Sequence, residues 1–266
     1  MLRLSVVVTT RNEAENIASC VRAFDSVVAQ GLAEVIVVDN ASTDDTKQIA
    51  KSLNAKVFDK GPERCAQRNY GWRQAAGDWV LVLDADMILP PETINEILSV
   101  EDGDAFWIPE VRSGSGFRTK VRNFERSFYD GTCIDALRLF RKDILNKTGG
   151  YDESLLAGGE DWELDIRILE QGAKCALLKN HLIHNEQQLS LSRLMAKKAY
   201  YAKGFARYKE KWPNHRAVKM QFSPVYRFIG VFTENGKWRK VLRHPILFLG
   251  VVFERILVGI IYLIHR

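Results

Sequence analysis

Cysteine is scarce in this 266-residue chain, and its four copies, Cys20, Cys65, Cys133 and Cys175, lie far apart with no CxxC pair. That spacing argues against a zinc site and against a disulfide framework, and it suits a reducing compartment. The four read as small core residues. Glycine-rich phosphate loops are missing as well: no GxGxxG follows the first apolar run, and no GxxxxGK[ST] occurs. Both absences weaken dinucleotide-binding and P-loop readings. The opening MLRLSVVVTTRNE has neither the charged-then-apolar layout nor the small-residue cleavage site of a signal peptide. No internal repeat or low-complexity stretch is present.

What is present is enough to fold. Apolar residues make up 46% and charged residues 27%, so the chain buries a core and is not disordered. Its length fits one large α/β domain or a domain with an appendage. The net charge of +5 hides an asymmetry. Residues 1–189 carry 22 Lys and Arg against 30 acids, whereas residues 190–266 carry 16 against 3. An acidic body with a basic tail points the tail at an anionic surface, membrane or nucleic acid.

Residues 4–9 (LSVVVT), 34–39 (EVIVVD) and 79–84 (WVLVLD) are apolar runs rich in β-branched residues, expected as buried parallel strands, with a shorter strand at 56–58. Helices are expected at 13–30, 44–53, 64–76 and 91–99, the last opened by Pro90-Pro91. The alternation predicts a doubly wound α/β sheet. Beyond residue 105 the pattern loosens. A strand is expected in AFWIPEV, a helix at 119–130, a strand in ALRLFRK, a helix at 160–171 and an extended stretch at 174–184. From 190 onward the chain reads as helical, basic and aromatic.

Ligands of open α/β sheets bind beyond the carboxyl ends of the strands. Three polar clusters fall there: Thr9-Thr10-Arg11-Asn12-Glu13, Asp39-Asn40 and Asp84-Ala85-Asp86. Asp84 and Asp86 are two apart, so in extended geometry their side chains point the same way. Two partnerless carboxylates repel, and a hard divalent cation, Mg²⁺ or Mn²⁺, removes the conflict. The bland alternative is a strand-end turn with two solvated acids. Without a glycine loop, Arg68 is placed to meet phosphate charge. In Gly158-Gly159-Glu160-Asp161-Trp162, the glycines allow close approach of a ligand, and the acids offer either a helix cap or a general base. His184, ending the 174–184 stretch, is either a structural histidine or the completion of a metal shell.

Assembled in order, SVVVTTRNEAENI, EVIVVDNASTDDT, RCAQRNYGWRQAAGDWVLVLDADM and the block from ALRLFRKDILNKTGG through GGEDWELDIRILEQGAK resemble glycosyltransferase family 2, over about residues 3–185. The resemblance implies the GT-A fold: a Rossmann-like, mostly parallel sheet flanked by helices. It implies a catalytic domain over 1–189, with a nucleotide-sugar half (1–100) and an acceptor half (101–189). Residues 190–266 would form a helical, membrane-associating extension. It also implies an inverting, metal-dependent hexosyl- or N-acetylhexosaminyl-transferase using a UDP- or GDP-sugar. Thr9, Arg11 and Glu13 would lie along the nucleotide, Asp39 would face the base, and Arg68 would lie near the base or diphosphate. Asp84 would approach ribose and metal, with Ala85 beside it, and Asp86 would ligate the Mn²⁺ or Mg²⁺. Asp161 would be the catalytic base, Glu160 would touch acceptor or donor sugar, and His184 would be a third metal ligand, with His181 its competitor. The QxxRW typical of processive members is absent after residue 185, which fits transfer of a single sugar.

The segment 246–264 is nearly all apolar, broken by Glu254 and Arg255. At its centre such charges disfavour a full span, so an interfacial or re-entrant anchor is expected, ahead of a span or a buried core helix. Together with the basic, aromatic 193–212 stretch it points to a lipid-linked, polyprenyl-type acceptor. The expected location is cytoplasmic, peripheral or monotopic on the inner face of the cytoplasmic membrane. Loop 110–132 is the expected seat of acceptor choice. The alternatives are a soluble glycosyltransferase with a saccharide or protein acceptor, a nucleotidyltransferase, and a non-catalytic nucleic-acid binder. No nucleic acid is the expected partner, because that reading leaves both acidic clusters without purpose.

Overall fold

A computed structural model describes residues 3–155, 157–185, 200–201 and 204–264. The helical expectation for 190–199, and the basic residues Lys197, Lys198 and Lys203, lie outside the described residues. Strands β1 (Leu4–Thr10), β2 (Ala33–Asp39), β3 (Lys56–Asp59) and β4 (Trp79–Asp84) pair in parallel in the order β3-β2-β1-β4. Every residue of β1 and β2 is buried. Their side chains alternate between two cores. Val6, Val8, Leu81 and Leu83 join the core on one face of the sheet, and Val7, Ile36, Val80 and Val82 the core on the other. Coverage on both faces is what turns these strands into continuous apolar runs.

The helices between them are shorter than the periodicity predicts. Residues 13–30 open with a turn in which the Glu13 carbonyl accepts from Asn16 and Ile17, and then form two helices, α1 (Ile17–Arg22) and α2 (Asp25–Ala29). Next come α3 (Thr46–Ser52), α4 (Arg64–Gln74) and, after the two-residue strand β5 (Met87–Ile88), α5 (Pro91–Leu98).

The second half departs from the expectation in three places. AFWIPEV is two strands, β6 (Ala105–Trp107) and β7 (Glu110–Arg112), split around Pro109, which has no N–H to give a ladder. Helix α6 (Phe117–Arg126) begins two residues earlier than expected, and then β8 (Leu137–Arg141) runs antiparallel to β4 and β6. Helices α7 (Lys142–Thr148) and α8 (Glu160–Glu170) follow. The stretch 174–184 is also divided. β9 (Cys175–Leu177) extends the main sheet, while β10 (Leu182–His184) sits between β5 and β7 in a second, three-stranded sheet. The break is held by Glu96 of α5, whose carboxylate accepts from the backbone of Lys179 and Asn180 at 2.8 and 2.9 Å.

The C-terminal segment packs on this body. Helix α9 (Arg216–Phe222) and Tyr208 cover Ile166, and Tyr208 is fully buried. A π-helical turn (Tyr226–Gly230) leads to α10 (Trp238–Arg243) and α11 (Pro245–Ile264). Val231, Phe232 and Val251 share an apolar cluster with Val121, Phe124 and Phe128. Among the described residues no helix is long and apolar enough to cross a membrane. The two charges that interrupt α11 face α6: Glu254 pairs with Arg118 and Arg122 at 3.3 Å each, and Arg255 with Glu125 at 2.7 Å.

Helices α6 and α11 approach closely at Gly250, where an added Cβ would stand 2.6 Å from Val121 Cγ2. Gly250→Val is expected to destabilise the protein by about 1–3 kcal/mol through overpacking. A lowered urea midpoint checks this, and an unchanged midpoint would show that the contact is slack.

Candidate active site

Strand register brings the first half of the site together. Thr9 lies opposite Asp84 and Thr10 opposite Asp39, so the polar ends of β1, β2 and β4 share one sheet edge. They border a cleft of about 1700 Å³. A drug-sized ligand fills roughly 300–1,000 Å³, so this cleft has room for two. Of the residues singled out from sequence, Thr9, Arg11, Glu13, Asp84, Ala85, Asp86, Glu160, Asp161 and His184 line it. Asp39 and Arg68 stand behind the wall, fully buried. The Asp39 carboxylate closes the β2 turn, accepting from Ser42 N at 2.7 Å and Ser42 Oγ at 2.5 Å. His181 is not among the residues that line the cleft; its carbonyl accepts from Thr93.

The expectation of two partnerless carboxylates needs correction, because each has its own cation. Asp84 accepts from Thr9 Oγ1 at 3.0 Å and faces Arg68 Nη2 at 3.4 Å and Arg64 Nη1 at 3.8 Å. The two arginines are four residues apart on α4 and so share a face. Burial raises the Asp84 pKa, but Arg64 and Arg68 outweigh it and hold the carboxyl well below the ordinary range. Asp86 pairs through Oδ2 with His184 Nε2 at 3.0 Å, and His184 Nδ1 lies 2.9 Å from Glu110 Oε1. Burial opposes the charge on His184, yet the two carboxylates push its pKa up to about 9. Glu13 completes the edge; burial raises its pKa, and Asp86 and Asp84 add to that.

Among the described residues no three His, Cys, Asp or Glu side chains form a ready-made metal shell. The other Asp86 oxygen, Oδ1, is nevertheless buried without a hydrogen-bond partner. A carboxylate with an orphan oxygen beside an imidazole fits a hard divalent ion that takes its remaining ligands from a diphosphate. His184 would have to give up its proton on binding such an ion.

Across the cleft, α8 presents its two acids differently. Asp161 Oδ1 lies 2.5 Å from Arg68 Nη1. Burial raises the Asp161 pKa, Arg68 pulls it back, and Glu160 adds to the rise; the net shift is upward, which makes it a stronger base. The Arg68 guanidinium also lies 5.1 Å over the Tyr151 ring. Glu160 is buried, and its Oε2 accepts from the amides of Gly158 and Gly159 at 2.6 and 2.9 Å. Its Oε1 faces Arg68 and Arg64 at 3.6 and 3.7 Å. Both glycines line the cleft and also admit the close approach of the C-terminal segment. A Cβ on Gly158 would stand 2.8 Å from the Tyr201 backbone, and one on Gly159 would stand 2.9 Å from Tyr208 Cβ. The C-terminal segment occupies that space.

Sequence reasoning missed Arg64 and Glu110. Arg64 carried a signal, being one helical turn before Arg68; Glu110 carried none, since it reaches His184 only through the pairing of β7 with β10.

Residues 5–149, more than half of the chain, match the family described as Glycosyl transferase family 2. The chain is a family 2 glycosyltransferase. It is 40% identical over 98 residues to an uncharacterized glycosyltransferase of Rickettsia typhi, covering 36% of this chain and 32% of that one. It is 34% identical over 104 residues to a dolichol-phosphate mannosyltransferase of Pyrococcus furiosus, covering 36% and 29%. This glycosyltransferase thus aligns with about a third of the length of these relatives. A solved mannosyltransferase of Pyrobaculum calidifontis, in complex with GDP-Man and Mn²⁺, has a TM-score of 0.61 at 18% identity, covering 91% of this chain and 75% of that one. That likeness shows the shared GT-A fold.

Arg68 compensates three carboxylates. Arg68→Leu removes the cation from Asp161 and leaves Asp84 and Glu160 to Arg64 alone, and is expected to destabilise this glycosyltransferase by about 3–5 kcal/mol. Thermal unfolding measures it; a wild-type melting temperature would mean that the acids relax into solvent.

Proposed function

We propose that the chain transfers one sugar, with inversion, from a UDP- or GDP-sugar to a hydroxyl or phosphate of a lipid-linked acceptor. The observation that carries this reading is the pairing of Asp86 and His184 on one wall of the cleft with Asp161 on the other. An acceptor oxygen attacks the anomeric carbon, the bond from that carbon to the β-phosphate oxygen breaks, and the nucleoside diphosphate leaves. A proton carried by an acceptor hydroxyl passes to Asp161. No second carboxylate is required as nucleophile, unlike in a retaining glycosidase. Arg68 positions Asp161, and Arg64 offers a cleft-lining cation to the diphosphate. Asp86 and His184 would hold a Mn²⁺ or Mg²⁺, which when bound offsets diphosphate charge and activates the leaving group. The Pyrobaculum neighbour, solved with GDP-Man and Mn²⁺, supports the donor class and the metal.

The acceptor class and the location belong to the same proposal. Support comes from the relative named for dolichol-phosphate mannosyl transfer, and from the exposed apolar face of α11, where Ile246, Leu249 and Phe253 are each about two-thirds exposed. Helix α10, just before α11 in the chain, carries Arg239, Lys240 and Arg243, and an apolar face with basic residues nearby in sequence suits the cytoplasmic surface of an anionic membrane.

Asp161→Asn is expected to lower sugar transfer by about a hundredfold or more while calorimetry still shows nucleotide binding. Wild-type turnover in that variant would remove Asp161 from the chemistry. Asp86→Ala is expected to weaken Mn²⁺-dependent UDP or GDP binding roughly 10–100-fold. Equal titration curves with and without the substitution would sink the metal assignment.

A further inference from the structure

The cleft is longer than a donor needs, and its far half is built from different chemistry. There the wall comes from β7, α6, the π-helical turn and α11. Within 110–138 and 227–257, the lining residues include seven arginines against three glutamates. Most of those arginines face an acid. Arg118 and Arg122 share Glu254, Arg126 reaches Asp135 at 2.8 Å, Arg138 faces Glu110 at 3.6 Å, and Arg255 holds Glu125.

Arg227 differs. No carboxylate pairs with it among the described residues; its Nε donates to the Gln221 carbonyl at 2.8 Å, and its guanidinium lies 5.7 Å over the Trp162 ring. Burial and the neighbouring Arg255 both press its pKa downward, so the charge is held in an unfavourable setting. An anion placed beside it relieves that. Trp162 directly follows Asp161 in the chain, so the anion would sit next to the site of transfer.

The same turn carries a second signal. Tyr226–Gly230 is π-helical, a rare geometry often found at functional sites. It puts both Arg227 and Phe228 on the cleft wall. Phe228, Phe253 and Leu257 line this half and are 47%, 67% and 45% exposed. A sugar or peptide would leave these apolar groups wet, whereas an alkyl chain would cover them.

We infer that this half of the cleft is a site for a long-chain alcohol phosphate, with Arg227 binding the phosphate and Phe228, Phe253 and Leu257 receiving the chain. The inference rests on the glycosyl-transfer reading and deepens it by assigning the acceptor to named residues. A phosphate monoester carries close to two negative charges at neutral pH, which matches an arginine-rich wall where Arg227 has no carboxylate partner among the described residues. The guanidinium fork suits phosphate oxygens better than an ammonium would.

The test is calorimetric titration of the full chain with farnesyl phosphate, farnesol and inorganic phosphate, each with Mn²⁺ and GDP or UDP titrated separately. Farnesyl phosphate is expected to bind at least about tenfold more tightly than either fragment. Arg227→Gln should lose about tenfold for farnesyl phosphate and leave nucleotide binding unchanged, and Arg227→Lys should recover part of the loss. Phe253→Asp, at an exposed position that does not endanger folding, should weaken farnesyl phosphate and leave inorganic phosphate unaffected. Equal affinity for farnesol and farnesyl phosphate would exclude the phosphate site. Equal affinity for inorganic phosphate would assign the pocket to a free anion and exclude the amphiphile. Wild-type binding of farnesyl phosphate by both Arg227→Gln and Phe253→Asp would overturn the assignment. If wild type binds farnesyl phosphate but no nucleotide with Mn²⁺, the amphiphile site stands and the transfer reading fails.

Discussion

A single guanidinium organises the centre of this molecule. Arg68 is almost wholly buried, and its three nearest acids come from two places far apart in the chain: Asp84 at the end of β4, and Glu160 and Asp161 at the start of α8. A buried charge is stable only with partners close by, so the donor half and the acceptor half must meet around it. Arg64, on the same face of α4, shares Asp84 and Glu160 and stands at the cleft surface. The result is a charge network in which each acid faces a defined neighbour. The DAD carboxylates are therefore not a repelling pair awaiting an ion; each is separately neutralised, and what Asp86 retains is one orphan oxygen.

Much of the donor half was legible because its signals are local. Runs such as LSVVVTT and AEVIVVD are long enough to show that they are buried on both faces, and the parallel order of their strands then places Thr9, Asp39 and Asp84 on one edge. The second sheet was not legible for the opposite reason. β5, β7 and β10 have two or three residues each, too few for any periodicity, and their pairing joins positions about 70 to 100 apart. Glu110 and its contact with His184 were hidden by that distance. The packing of Tyr201 and Tyr208 on Gly158 and Gly159 was hidden for a related reason: those tyrosines come some forty residues later in the chain.

The C-terminal segment is likewise better understood through its partners than its hydropathy. Glu254 and Arg255 look like flaws in an apolar run of the sequence, but in the fold they fasten α11 to α6 while Val251 and Gly250 seat against Val121. The exposed apolar residues of α11 lie elsewhere on the helix, so the helix divides its surface between protein and whatever covers that face. Among the described residues Arg227 has no carboxylate partner, and the acids in that region serve Arg118, Arg122 and Arg255.

The packing of Tyr201 and Tyr208 over Gly158 and Gly159 also bears on the order of synthesis. The turn that delivers Asp161 takes its final shape against residues that leave the ribosome after the whole α/β body. A nascent chain that has completed β10 therefore holds its strand-end acids and arginines, but the turn before Asp161 still lacks its cover. The cover over that turn is thus supplied from the C-terminal side, by residues made after every member of the acid–arginine centre.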